Sequence, residues 1–201
     1  MNKFFDFFKK NSTDIIKPTA VLLAICVIIP LALSLTNKIT VKKIARLEEE
    51  NSKKAMAGLI TADDFRTATV SDTEYYEAVK DGNIIGYIFK TSSKGYGGDV
   101  SVMTAINPDG TVKSVAILDV SNETPGLGQN AAKESFYSQY AGKKKGISLL
   151  KNGADSEKNE VDAVTGATIT STAVNRAVNE ALDEFEKLSK STNTAEVTDG
   201  E

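Results

Sequence analysis

Between Lys17 and Lys38 the chain carries no charged residue, and from Pro18 to Asn37 it reads P-T-A-V-L-L-A-I-C-V-I-I-P-L-A-L-S-L-T-N. About 20 predominantly apolar residues are what a helix needs to cross the hydrocarbon core of a bilayer, so this stretch is predicted as a transmembrane helix over 18–37. Pro18 suits the first turn of that helix, whereas Pro30 is expected to bend it. Ahead of it, residues 1–17 set Phe4, Phe5, Phe7 and Phe8 among Lys3, Lys9, Lys10 and Lys17, the composition of a segment lying in the lipid interface. A cleaved signal peptide is the rival reading, with Ala32-Leu33-Ser34 as its small-x-small site, but the apolar run continues past it to Leu35. Ile25 is too bulky to precede a lipidated cysteine, which leaves Cys26 as a small apolar residue of the span. Charge does not orient the helix, because Lys38, Lys42, Lys43 and Arg46 after it balance the lysines before it.

Residues 38–62 are charged and helix-favouring, a stalk that continues the membrane helix. A globular domain over 63–188 follows. Strands are expected at Glu74–Val79 and Ile84–Thr91 around the turn Asp81-Gly82-Asn83, then at Asp99–Ile106 and Val112–Val120 around Asn107-Pro108-Asp109-Gly110. Short hairpin connections imply antiparallel pairing, and helices expected at Gln129–Tyr140 and Ser171–Leu188 must cover the sheet: an α+β fold. Residues 189–201 are polar and expected to be disordered. With 201 residues and a net charge of −3, the chain has room for one domain plus appendages and lacks the basic footprint of a nucleic-acid binder. Its single cysteine excludes an intramolecular disulfide.

The densest chemical signal lies at Asp162 to Thr172, D-A-V-T-G-A-T-I-T-S-T. Thr165, Gly166, Ala167, Thr168, Thr170 and Ser171 lead into a helix whose Ala173, Val174, Ala177, Val178, Ala181, Leu182, Phe185 and Leu188 share one face. A helix N-terminus gathers unpaired N–H groups and the positive end of the dipole, which suits phosphate. The plainer alternative is that Thr170 or Ser171 only caps the helix. Two glycine-bearing loops are candidates to meet a planar ligand: Gly95-Tyr96-Gly97-Gly98, where Tyr96 offers a ring and Gly97 little bulk, and Glu123-Thr124-Pro125-Gly126-Leu127-Gly128, where Thr124 offers a hydroxyl and Leu127 an apolar face.

Asp162, Thr165, Gly166, Ala167 and Thr168 match the D-x-x-[ST]-G-A-[TS] flavinylation pattern of FMN-binding domains, and Glu123 to Gly128 resembles the second hallmark of that domain. The whole arrangement, over roughly residues 18–188, resembles the G subunit of the Rnf-type ion-translocating electron transport complex. The resemblance implies FMN held covalently through a phosphoester to Thr168, with Thr165, Gly166, Ala167, Thr170, Ser171, Glu123, Thr124, Leu127, Gly128, Tyr96 and Gly97 around it. The chain has no histidine to activate a threonine hydroxyl, and the family solution is a separate Mg-dependent flavin transferase using FAD. Gly166 and Ala167 would admit that enzyme, and Asp162 would be read by it or help deprotonate Thr168. No resident metal and no catalytic residue are implied, only an electron-carrier subunit of a ferredoxin:NAD⁺ oxidoreductase exporting Na⁺ or H⁺, partnered by its other membrane subunits and by lipid. The N-terminus would be cytoplasmic and the FMN domain on the outer face. Two alternatives stay open: the C subunit of the Na⁺-translocating NADH:quinone oxidoreductase, and an anchored scaffold or ligand-binding module without a redox group.

Overall fold

The computed structural model of the chain describes residues 12–70 and 73–198, so most of the expected interfacial segment, and the end of the expected tail, lie outside the described residues. The chain divides into two compact units after Glu50. Helix α1, Ser12–Leu59, runs through the first and into the second, unbroken at Pro18 and Pro30. In the first unit the apolar side chains of the span, Leu22, Leu23, Ile28, Leu31 and Leu33 among them, are all exposed, the surface of a helix meant for a non-aqueous surrounding. Its polar groups turn inward: the Thr36 hydroxyl donates to the Ala32 carbonyl at 2.9 Å and that of Thr40 to Thr36 at 2.8 Å.

The second unit is built on a five-stranded antiparallel meander, β1 (Asp64–Val70), β2 (Thr73–Lys80), β3 (Asn83–Lys94), β4 (Asp99–Ile106) and β5 (Val112–Asp119), paired in that order. Strands β2 to β5 lie within a few residues of their sequence-predicted positions. Strand β1 is additional; its D-F-R-T-A-T-V carries too few apolar residues to signal a strand, and it forms an edge that needs only one buried side.

Alternation along the central strands separates two cores. Tyr75, Phe89, Val100, Val102 and Ile106 face one way, into a cluster with Ala173, Val174, Ala177, Val178, Ala181 and Leu182 of α3 (Thr168–Thr198). Phe185 and Leu188 pack on its margin, as the spacing predicts. The Thr91 hydroxyl donates to the Ala177 carbonyl at 2.9 Å and pins β3 to α3. Ala78, Ile88, Met103 and Ala105 face the opposite way, against Met56, Leu59 and Ile60. The last turns of α1, read from sequence as stalk, therefore cover the second side of the sheet, and Ser114 Oγ fastens them by donating to the Leu59 carbonyl at 2.9 Å.

Two helical expectations change in detail. The segment 129–140 is not one helix but a 3₁₀ turn over Gly128–Ala132, a single α-turn, α2 (Glu134–Tyr137), and a second 3₁₀ turn over Ser138–Tyr140, with Lys133 extended at ψ 140° between the first two. Ala131 and Phe136 are both buried, and five residues of uninterrupted α-helix would set them about 140° apart around the axis. Helix α3 starts at Thr168, three residues before the expected start, and continues to Thr198, past Lys190 where a disordered tail was expected. A short parallel pair, β6 (Ser148–Leu150) and β7 (Glu160–Asp162), brings the chain to the start of α3.

Candidate functional site

Two similar turns build the site. In the first, the Leu127 N–H closes on the Thr124 carbonyl at 3.2 Å, with Pro125 in second place and Gly126 in third at φ +76°. In the second, the Ala167 N–H closes on the Val164 carbonyl at 3.0 Å, with Gly166 in third place at φ +75°. Positive φ at the third position is what a type II turn requires, and glycine meets it without strain. The turns touch: a Cβ on Gly166 would lie 3.0 Å from Leu127 Cδ2. Backbone geometry by itself already calls for glycine at 166, and the Ala167 side chain is buried.

Helix α3 leaves the second turn with its first N–H groups, those of Thr168, Ile169 and Thr170, lacking intrahelical partners. Their hydroxyls divide by direction. Thr168 is exposed. Ser171 is fully buried; its Oγ donates to the Ala167 carbonyl at 2.9 Å and accepts the Val164 N–H at 2.9 Å, so it clamps the turn and offers nothing to a ligand. Thr170 is buried as well and donates its hydroxyl to Glu123 Oε2.

Glu123 is the hidden centre of the arrangement. Only 3% exposed, it accepts the Gly97 N–H at 2.9 Å through Oε1 and so joins the Gly95–Gly98 loop, its own loop and the first turn of α3. Burial pushes its carboxyl up, but the hydrogen bonds from Thr170 and from the backbone of Gly97, Gly98 and Tyr96 more than reverse this, leaving it below the ordinary carboxylate value. Four glycines make room for it and for Asn122 beside it. A Cβ on Gly95 would come within 2.5 Å of Glu123 Oε1, on Gly97 within 1.8 Å of the Asn122 carbonyl oxygen, on Gly98 within 2.9 Å of Asn122 Cβ, and on Gly128 within 2.7 Å of Glu123 Oε2. The glycines that suggested close approach of a ligand are occupied with close approach of the protein to itself.

Around these groups opens a cavity of about 520 Å³ lined by Tyr96, Glu123, Thr124, Leu127, Gly128, Gly166, Ala167, Thr168, Ile169 and Thr170. That volume falls in the range of small-molecule and cofactor sites. Tyr96, Leu127 and Ile169 are 72%, 44% and 55% exposed, apolar surface held open at the mouth. Ile169 was not singled out in the sequence, although it lies off the buried face of α3, an apolar residue with no core to enter. Thr165 and Asp162 go elsewhere: both line a separate cavity of about 340 Å³ with Asn130, Lys133 and Gln139. Asp162 Oδ1 accepts the Ala154 N–H at 2.9 Å, which ties down the loop between β6 and β7. An apolar mouth and a helix start whose first N–H groups lack intrahelical partners fit a ligand with a flat apolar part and a phosphate: the apolar wall suits a ring and the helix terminus suits the anion.

Residues 95–183 match the family model of the FMN-binding domain. The G subunit of the proton-translocating ferredoxin:NAD(+) oxidoreductase complex of Clostridium ljungdahlii is 34% identical, across 87% of this chain and 94% of that protein. Its counterpart in the Na(+)-translocating complex of Acetobacterium woodii is 32% identical, across 85% and 91%, and the G subunit of the ion-translocating oxidoreductase complex of Methanosarcina acetivorans is 31% identical, across 86% and 95%. Among solved structures, the C subunit of the Na(+)-translocating NADH-quinone reductase of Parabacteroides distasonis superposes with a TM-score of 0.50 at 25% identity, over 57% of this chain and 61% of that one. The chain thus spans about three fifths of the length of that structure.

Proposed function

We propose a function from one premise: the chain belongs to the family of G subunits of ion-translocating oxidoreductase complexes. It is an electron-carrier subunit of a ferredoxin:NAD⁺ oxidoreductase complex, anchored in the membrane by α1, and its domain binds FMN. The observation that carries the reading is the cavity in which the two glycine turns, Glu123 and the exposed Thr168 converge. When bound, FMN supplies the capacity to take and give electrons, and the protein fixes its place and surroundings. The similarity to the C subunit of a Na(+)-translocating NADH-quinone reductase is one of fold and domain, whereas the relatives matched over most of their length are G subunits.

The finer reading is covalent attachment. Thr168 Oγ would hold FMN as a phosphoester, its oxygen displacing AMP at the phosphorus of the FMN half of FAD while the hydroxyl proton passes to a base. The absence of histidine rules out self-activation of the Ser-His kind, and by resemblance to the family the base and the Mg²⁺ are those of a separate transferase. Asp162 and the turn Val164–Ala167 are the features such an enzyme would read. The intact mass of the chain purified from its own membranes is expected to exceed that of the polypeptide by one esterified FMN; the bare polypeptide mass would refute the linkage.

The rest of the proposal is topological. The N-terminus is cytoplasmic, the FMN domain is on the outer face, and the other subunits of the complex and lipid surround the span. Carbonate washing is expected to leave the chain in the membrane, and protease added to intact spheroplasts is expected to remove the sheet domain. Protection of that domain until the membrane is opened would reverse the orientation.

A further inference from the structure

Beyond binding, the site contains a charge whose position calls for a role. Glu123 is buried, pairs with no cation among the described residues, and is bonded only to a hydroxyl and to backbone N–H groups. Four glycines give up side chains so that it and Asn122 fit. The Gly97 N–H and the Thr170 hydroxyl donate to different oxygens, Oε1 and Oε2, a double acceptor role that a carboxylate fills and an amide, with one oxygen, does not, so the cross-link brings a negative charge with it. Those donors offset the cost of burial, so the carboxylate stands as a fixed negative charge in the wall of the cavity. The first turn of α3 supplies one of those donors, the Thr170 hydroxyl.

We infer that Glu123 is a positioning residue for the redox chemistry: its fixed negative charge in the cavity wall opposes the addition of electrons to the bound flavin and holds its midpoint potential low. This rests on the reading that FMN occupies the cavity. The physical basis is Coulombic, since a charge held in a partly desolvated wall is weakly screened and acts more strongly than one in water. Reduction adds negative charge to the flavin or takes up protons in compensation, and a neighbouring anion disfavours the first.

Full-length chain carrying its flavin, purified in detergent, tests this by redox titration followed by flavin absorbance, with flavin content read separately from in-gel fluorescence. Glu123→Gln, neutral and nearly isosteric, is compared with wild type on the flavin-bearing fraction of each, and is expected to show a higher midpoint potential. Glu123→Asp, which keeps the charge but shortens the reach to Thr170 and Gly97, is expected to stay closer to wild type. Equal potentials in wild type and Glu123→Gln, or equal upward shifts in Gln and Asp variants, would overturn the inference, the second by showing that packing rather than charge sets the potential. If Glu123→Gln does not accumulate, Thr124→Lys decides: Thr124 is exposed on the same wall, a cation there offsets the carboxylate, and a rise is expected, with an unchanged potential overturning the inference. Wild-type chain that carries no flavin at all would instead refute the reading beneath it, whatever the variants do.

Discussion

Thr168→Val is expected to reduce covalent flavin from one per chain to none, with the fold unchanged. Valine keeps the shape and branching of threonine and removes only the hydroxyl, and Thr168 is exposed at the first position of α3. The Thr172 hydroxyl donates to the Thr168 carbonyl at 2.7 Å, a bond to backbone that survives the substitution. A surface change of this kind typically moves stability by less than about 0.5 kcal/mol. The other hydroxyls of the motif are poor substitutes: Thr170 is buried against Glu123, Ser171 is buried in the turn, and Thr165 opens onto the neighbouring cavity. Fluorescence in a denaturing gel and intact mass read the outcome. A variant that still fluoresces would move the attachment site, with Thr165, which lines that neighbouring cavity, as the next to test.

The largest effect on stability at the site is expected from Gly97→Ala. Its Cβ would stand 1.8 Å from the Asn122 carbonyl oxygen and 2.8 Å from its carbon; both belong to backbone, so no side-chain rotation relieves the clash and the loop must shift. The Gly97 N–H then leaves Glu123 Oε1, and a buried carboxylate loses a donor. Overpacking and a lost bond to a buried charge together are expected to cost about 2–4 kcal/mol, which for a domain of this size lowers the melting temperature by roughly 5–15 °C. Gly58→Ala is the control, an exposed helical glycine with nothing within 4 Å of the added methyl. It should be neutral or mildly stabilising. Thermal unfolding of both chains in the same detergent separates them, and a Gly97→Ala protein that melts with wild type would show that the loop yields freely.

The sheet was largely legible because its chemistry is local. Strands β2 to β5 alternate, and glycine-bearing turns punctuate them, so neighbouring residues carry their own instructions. The buried face of α3 was legible for the same reason. What local pattern did not carry was partnership at a distance. Residues 129–140 have helical composition, yet Ala131 and Phe136 must both enter the core and the chain breaks at Lys133 to let them. Strand β1 is a strand because β2 is there to pair with it. The site divides likewise. Thr168 and both glycine turns stand out in the sequence, whereas the bond between Thr170 and Glu123 spans 47 residues. The Glu123 side chain that makes that bond takes the space beside Gly95 and Gly128, while Gly97 and Gly98 make room for the neighbouring Asn122.

The way the sheet is covered on its second side bears on how the chain unfolds. Because Met56, Leu59 and Ile60 belong to the same core as Ile88 and Met103, the end of α1 opens only when the sheet opens. Cooperative units of unfolding follow such packing rather than secondary-structure boundaries. One geometrically continuous helix is therefore energetically two, with the seam near Asn51: amides from 51 to 60 share the fate of β3 and β4, and those before them answer to whatever surrounds the span. A fragment cut at residue 63, just before the strands begin, would lose Met56, Leu59 and Ile60 and bare one face of the sheet, whereas one cut just before Asn51 keeps the folding unit whole.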